Sequence, residues 1–194
     1  MKVGLFFGSF NPIHIGHLII ANHILNETSL QKIWFVVSPQ NPFKPSSTLL
    51  NEYDRFHLVQ KAVEENNNMR ASDIEFSLPK PSYTVHTLAY LQEKYSAYTF
   101  NIIMGSDSFQ NLNKWNNFET IIGNYSIIIF KRPGFEVENK LNARIDILQA
   151  PLLEISATHI RELIKEGKSI KYLVPEKVEE EIIANRFFKK NQKK

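Results

Sequence analysis

The chain of 194 residues reads as an α/β fold built on a mainly parallel sheet. Three observations predict it. Short apolar runs rich in Val, Ile, Phe and Trp recur along the chain, as in strands buried on both faces. Stretches of helical character separate them, which gives right-handed strand–helix–strand units. The chemically interesting polar residues gather just after the apolar runs, where an open parallel sheet binds its ligands.

The elements follow in order. Val3–Phe7 is the first strand and Gly16–Asn26 the helix after it. Lys32–Val37 is the second strand, and the stretch Ser38–Leu50, with Pro39, Pro42 and Pro45, is a loop. Helices over Glu52–Glu65 and Thr84–Tyr95 precede a strand over Phe100–Met104. Ser106–Leu112 is helical, Tyr125–Phe130 is a strand, and Ile145–Leu148 is a weaker strand. Helices over Thr158–Glu166 and Pro175–Phe187 complete the pattern, with Pro175 suited to a first helical turn. Residues 1–187 are expected to form one domain, followed by a basic tail over 188–194.

Composition narrows the function classes. A hydrophobic share of 43% and a charged share of 22% are those of an ordinary globular protein. No cysteine is present, so disulfides, thiolate zinc sites and cysteine nucleophiles are excluded, and a reducing compartment fits. No apolar run reaches the roughly 18 residues of a membrane span. Met1–Phe7 is too short for a signal segment and runs straight into a histidine motif, so a buried strand in a cytoplasmic protein is expected. The net charge of +3 owes much to Arg186–Lys194, which reads as a solubilising terminus. No basic stripe marks a nucleic-acid partner. The oligomeric state is left open, a homo-oligomer included.

The most informative run is Gly8-Ser9-Phe10-Asn11-Pro12-Ile13-His14-Ile15-Gly16-His17. It places two histidines three residues apart, on one helix face, where a helix begins after a strand. A helix N-terminus brings unpaired N–H groups and the positive end of the dipole, so the run is a phosphate socket. Gly8 and Ser9 let the backbone turn tightly and approach a ligand, and Pro12 fixes one dihedral. An imidazole donates to a phosphate oxygen without blocking an in-line attack. Metal ligation is the alternative, but no third ligand stands at a recognisable spacing. Far along the chain, Ser156 and Thr158 can cap a helix starting near Thr158, whose amides then hold a phosphate. Arg161, one turn on, reaches the same anion with its fork of donors.

The segment Gly8–His17 resembles the HxGH signature of the nucleotidylyltransferase superfamily, with His14-Ile15-Gly16-His17 as its core. Ile155-Ser156-Ala157-Thr158-His159-Ile160-Arg161 resembles the second signature, ISSTxIR, with Ala157 where serine is usual. Ser9 and Asn11 stand where Gly and Asp are common. The resemblance implies a Rossmann-like three-layer sandwich of the nucleotidylyltransferase type. It implies transfer of a nucleotidyl group from an NTP to an acceptor phosphate, with pyrophosphate released and Mg²⁺ required. Gly8, Ser9, Phe10, His14, His17, Gly105, Asp107, Ser156, Thr158 and Arg161 would then bind ATP, with His14, His17, Lys44 and Arg161 as the catalytic set.

Three further features are similar to the nicotinate-nucleotide adenylyltransferase branch. Ser38-Pro39-Gln40-Asn41-Pro42-Phe43-Lys44 matches its loop after the second strand, with Phe43 in place of a histidine. Glu75 followed by Pro81-Ser82-Tyr83-Thr84-Val85-His86-Thr87-Leu88 matches its SYTxxTL run. Gly105-Ser106-Asp107 with Trp115 downstream matches its GxDxxxxxxxW run. The resemblance implies nicotinate mononucleotide as acceptor, held by Asn11, Lys44, Tyr83, Thr84, Trp115 and Asn116. Trp115, among Asn113, Lys114, Asn116 and Asn117, is expected on a loop away from the core, stacked on the pyridine ring. Asp107 would accept from ribose hydroxyls. The alternatives are nicotinamide mononucleotide or phosphopantetheine as acceptor, and a non-catalytic nucleotide sensor. Amides expected at Thr84 and Asn116 favour the acid.

Overall fold

The computed structural model describes residues 1–39, 49–151 and 153–189. Six strands form one sheet: β1 (Lys2–Gly8), β2 (Lys32–Val37), β3 (Met69–Ser72), β4 (Thr99–Gly105), β5 (Ser126–Phe130) and β6 (Ile145–Leu148). The order across the sheet is β3-β2-β1-β4-β5-β6, and every neighbouring pair is parallel. Strand order reverses between β1 and β4, the place where such sheets open a crevice for nucleotides. Register is tight there, with Leu5 opposite both Trp34 and Ile102.

Side chains alternate along each strand, and both faces are apolar, as the dense Val/Ile/Phe runs require. Phe6, Phe35, Val37, Ile103, Ile128 and Phe130 point to one face. It is covered by α1 (Ile15–Glu27), α2 (Glu52–Val63), α6 (Ala157–Lys165) and α7 (Glu176–Ala184), through residues such as Ile24, Leu58, Ile160 and Val178. Leu5, Trp34, Val36, Ile102 and Ile129 point to the other face. It is covered by α3 (Thr84–Lys94), α4 (Ser106–Phe109) and α5 (Phe118–Asn124), through Leu88, Leu91, Phe109 and Ile121. Helices on both faces of the sheet make the three-layer arrangement expected of the pattern. Among the described residues, no helix is long and apolar enough to cross a membrane.

Several elements differ from the sequence pattern. β3 was hidden because Met69-Arg70-Ala71-Ser72 is short and half polar, an edge strand with one solvated flank. The helix expected over Ser106–Leu112 is a single turn, α4, followed by a 3₁₀ turn over Leu112–Lys114. α5 follows it, entered through Asn117 in the left-handed region (φ 49), a conformation asparagine tolerates. Pro175 sits at the N-cap of α7, one residue before the first turn, and α7 ends at Ala184, short of Phe187. α7 is tied to α2 at its exposed edge, where Lys177 meets Glu64 and Glu65, and Glu181 lies 3.3 Å from His57.

One side chain joins the sheet to its loops. Arg55, on α2, is fully buried (0% exposed). Its Nε donates to the carbonyl of Leu50 at 2.9 Å, and its Nη1 donates to Ser9 at 2.6 Å and Ser38 at 2.9 Å. Its Nη2 donates to Pro39 at 3.0 Å. Only a planar fork of donors reaches four carbonyls at once. Arg55→Met is expected to lower stability by at least about 3 kcal/mol, because it strands several buried carbonyls. Guanidinium unfolding followed by circular dichroism measures it; a midpoint equal to that of the parent protein would refute the assignment.

Candidate active site

The site is built at the carboxyl ends of β1, β4 and β5. After β1 the chain turns through Ser9 and Phe10, and Phe10 adopts a left-handed backbone (φ 44). Such a conformation is costly for a bulky residue and persists only where packing over-determines it. Here the Phe10 ring is wedged edge-on against Phe6, Phe35 and His17, with centroids 6.0, 5.6 and 5.2 Å apart. It also lies over Gly8, where a Cβ would come within 2.8 Å of its tip. Gly8 is therefore required for space beneath Phe10 and not for the tight turn its sequence suggests; it is the last residue of β1.

His14 is the N-cap of α1 and His17 its third residue. The two rings lie face to face, centroids 3.7 Å apart and tilted by 31°. The His14 amide donates to His17 Nδ1 at 3.3 Å. A ring nitrogen that accepts carries no proton, so neutral His17 holds its proton on Nε2, as a donor. His14 is buried (7% exposed), and burial, with the Arg132 charge nearby, lowers its pKa to about 4. At neutral pH it is an uncharged imidazole. Gly16 makes room for it, since a Cβ there would lie 3.1 Å from His14 Nδ1. The helix end is less open than the sequence implies, because the Ile15 amide is already bonded to the carbonyl of Leu173 at 2.9 Å.

The second motif meets the first. Ser156 is the N-cap of α6, its hydroxyl accepting from the His159 amide at 3.2 Å. Thr158 lies inside α6 and does not cap it; its hydroxyl accepts instead from Arg161 Nη2 at 3.2 Å. Arg161 Nη1 donates to the Asn11 carbonyl at 2.8 Å, joining residues 150 apart. Asn11 is itself buried, and its Oδ1 accepts from the Leu50 amide at 3.1 Å. Asn11 thus holds the loop before α2 as well as Arg161.

Across the switch point, Gly105 ends β4 and Asp107 sits in the single turn of α4. Asp107 Oδ1 lies 3.4 Å from Arg132 Nε. Ser106 Oγ accepts from the Arg132 amide at 2.9 Å, so the loop after β5 is pinned to that after β4. Arg132, in the loop after β5, faces both Asp107 and His14.

A second group surrounds the start of α3. Tyr83 is its N-cap and Thr84 its first residue. Beneath them lies the carboxylate of Glu75, buried (2% exposed) on a 3₁₀ turn over Ile74–Ser77. Ser82 Oγ donates to Glu75 Oε2 at 2.7 Å and Thr87 Oγ1 to Glu75 Oε1 at 2.9 Å. Burial raises the Glu75 pKa, and hydrogen bonds from Ser82, Thr87 and Ser38 oppose the rise. Trp115 follows the 3₁₀ turn over Leu112–Lys114 and packs against the core, half-buried, so the fully peripheral placement expected of its polar neighbours does not hold. Leu112, on the same 3₁₀ turn, is buried, and its carbonyl accepts from the Trp115 amide at 2.9 Å. Asn116, next to it, is exposed. Lys44 lies outside the described residues. Among the described residues, no group of three His, Asp or Glu is placed to hold a metal ion.

Comparison with known proteins bears on this geometry. Residues 5–163 match the cytidylyltransferase-like family model. A probable nicotinate-nucleotide adenylyltransferase of Cytophaga hutchinsonii is 52% identical over 192 residues, covering 97% of this chain and 98% of that protein. One from Flavobacterium johnsoniae is 50% identical over 193 residues, covering 98% of this chain and all of that protein. The fold is also that of a Plasmodium falciparum nicotinic acid mononucleotide adenylyltransferase solved with NaAD. That structure has a TM-score of 0.80 at 21% identity, over 96% of this chain and 97% of that one.

The His14 environment has a pH consequence. Folding favours its neutral form, because its folded pKa lies below the ordinary 6.5. This contribution is complete above about pH 6.5 and is lost as pH falls through about 4, on the order of 3 kcal/mol in all. His14→Gln, which does not titrate, is expected to show a shallower loss of stability between pH 7 and pH 4.5. Urea unfolding across that range measures the difference between the two proteins; parallel curves would contradict it.

Proposed function

The chain belongs to the cytidylyltransferase-like family, and we propose that it transfers the adenylyl group of ATP to the phosphate of nicotinate mononucleotide. The products are nicotinate adenine dinucleotide and pyrophosphate, in the synthesis of NAD. The observation that carries this reading is the bond from Arg161 to the Asn11 carbonyl. It joins the two signature segments from opposite ends of the chain, in a protein half identical to probable adenylyltransferases of that name.

The acceptor brings its own nucleophile, so no serine, cysteine or general base is needed. A phosphate oxygen of nicotinate mononucleotide attacks the α-phosphorus of ATP, and the bond from that phosphorus to the β-phosphate oxygen breaks. Catalysis is then positioning and charge stabilisation. His17 presents Nε2–H to the α-phosphate. His14, neutral and buried, donates without adding a charge that would repel the cations nearby. Gly8, Ser9 and Phe10 line the path of the triphosphate. Ser156, Thr158 and Arg161 receive the departing pyrophosphate at the start of α6. Asp107 and Gly105 take the ATP ribose, and Lys44 steadies the incoming phosphate.

On the acceptor side, Thr84 and Asn116 offer amides to the nicotinate carboxylate, the former at the positive end of α3. Tyr83 and Trp115 offer aromatic faces to the cationic pyridine ring. Mg²⁺ carried on the ATP phosphates would supply charge neutralisation there. A cysteine-free chain suits work in the reducing cytoplasm.

Pyrophosphate release from ATP and Mg²⁺ is to be measured with nicotinate mononucleotide, nicotinamide mononucleotide and phosphopantetheine in turn. Release is expected to be fastest with the first; preference for phosphopantetheine, or no release with any acceptor, would overturn the assignment. His17→Ala is expected to cut kcat by about a hundredfold or more, the scale of one lost electrostatic donor. Turnover near that of the parent protein would remove His17 from the mechanism.

A further inference from the structure

Glu75 is a buried carboxylate that the reaction above does not use. Its described hydrogen-bond partners are hydroxyls rather than cations: Ser82 at 2.7 Å, Thr87 at 2.9 Å, and Ser38. A carboxylate buried without a countercharge is expensive, and an apolar residue would fill a purely structural joint at lower cost. Both carboxyl oxygens accept here, one from the Ser82 hydroxyl and one from the Thr87 hydroxyl, and so set the direction of each.

Those hydroxyls are placed to matter. Ser82 and Thr87 bracket Tyr83 and Thr84, the N-cap and first residue of α3. Thr87 is further tied to this entry by its contact with the Tyr83 carbonyl at 3.4 Å. Ser38, at the end of β2, has its amide bonded to the Gly8 carbonyl at 2.9 Å and its carbonyl to Arg55. Glu75 itself sits on a pinned 3₁₀ turn, with the Phe76 amide on Asp73 and the Leu78 amide on Glu75. A rigid base therefore holds one carboxylate, and that carboxylate holds both the start of α3 and the start of the loop after β2.

We propose that Glu75 is a positioning residue of the acceptor site: acting through Ser82 and Thr87, it fixes the first turn of α3 in the orientation that receives the acceptor. The proposal rests on the acceptor reading above. It separates the two substrates. Its two shortest described hydrogen bonds both run to residues at the start of α3, so its loss bears first on acceptor capture. The isosteric amide keeps a carbonyl acceptor for one hydroxyl while the other hydroxyl rotates to accept, so Glu75→Gln retains the joint.

The test is steady-state kinetics of Glu75→Leu, Glu75→Gln and Ser82→Ala with ATP and nicotinate mononucleotide, each variant first checked by circular dichroism and thermal melting. Glu75→Leu is expected to raise KM for nicotinate mononucleotide by about tenfold or more, the scale of a pocket whose hydrogen bonds are lost. KM for ATP and kcat stay within about threefold, a spread too small to mark a lost interaction. Glu75→Gln restores the acceptor KM to near the parent value, and Ser82→Ala, which cuts one bond only and keeps the carboxylate, gives an intermediate value even if Glu75→Leu does not fold. An unchanged acceptor KM in folded Glu75→Leu or Ser82→Ala overturns the proposal, as does an equal rise in both KM values. Turnover of the unmodified protein with nicotinate mononucleotide reads the activity itself, so the two ideas fail separately.

Discussion

The crevice depends on one buried guanidinium. Arg55 reaches four carbonyls belonging to the end of β1, the end of β2 and the residue leading into α2. Parallel strands end in loops that have no partners of their own, and a buried loop carbonyl without a donor is costly. Arg55 supplies these donors from the helix side and so gathers the two loops where β1 and β2 stop. The Ser38 amide, bonded to Gly8, and Asn11 Oδ1, bonded to the Leu50 amide, repeat the connection with weaker neutral groups. Without this knot the strand ends would remain, but the distances between the motif residues would not be set.

The charges of the site follow from where burial is allowed. His14, deep beside His17, is kept neutral by desolvation and by Arg132. The arginines sit closer to the opening: Arg132 is half-exposed beside Asp107, and Arg161 is only partly buried at the start of α6. From the opening inward, the partly exposed guanidiniums come first and the buried, neutral imidazole of His14 lies deeper. That order suits a phosphoryl centre that must be held without being trapped, since preorganised dipoles stabilise developing charge with little reorganisation. Glu75, at the start of α3, is a buried carboxyl whose partners among the described residues are hydroxyls, so its hydrogen bonds orient neighbours rather than neutralise charge.

Most of the scaffold was legible in the residues. The runs of Val, Ile, Phe and Trp marked the strands that are buried on both faces, because a strand covered twice has no polar alternation to disguise it. Met69–Ser72 escaped, since an edge strand lacks that property. The run Ser106–Leu112 has the character of one helix but folds as two short turns, with Phe109 and Leu112 both buried. Trp115 packs against the apolar layer on its face of the sheet although the residues flanking it in sequence are polar, a contact no local pattern reveals.

The sequence by itself determined the fold class, the two signature motifs and the end of the sheet at which they fall, because these depend on local pattern and on the handedness of parallel units. Only the tertiary structure decided how the motifs meet. The bond from Arg161 to Asn11, the burial that neutralises His14, the pairing of Arg132 with Asp107 and the carbonyl cluster around Arg55 all join residues distant along the chain. Their energies depend on solvent exclusion and on geometry within a few tenths of an ångström, and neither is encoded in any window of residues short enough to read.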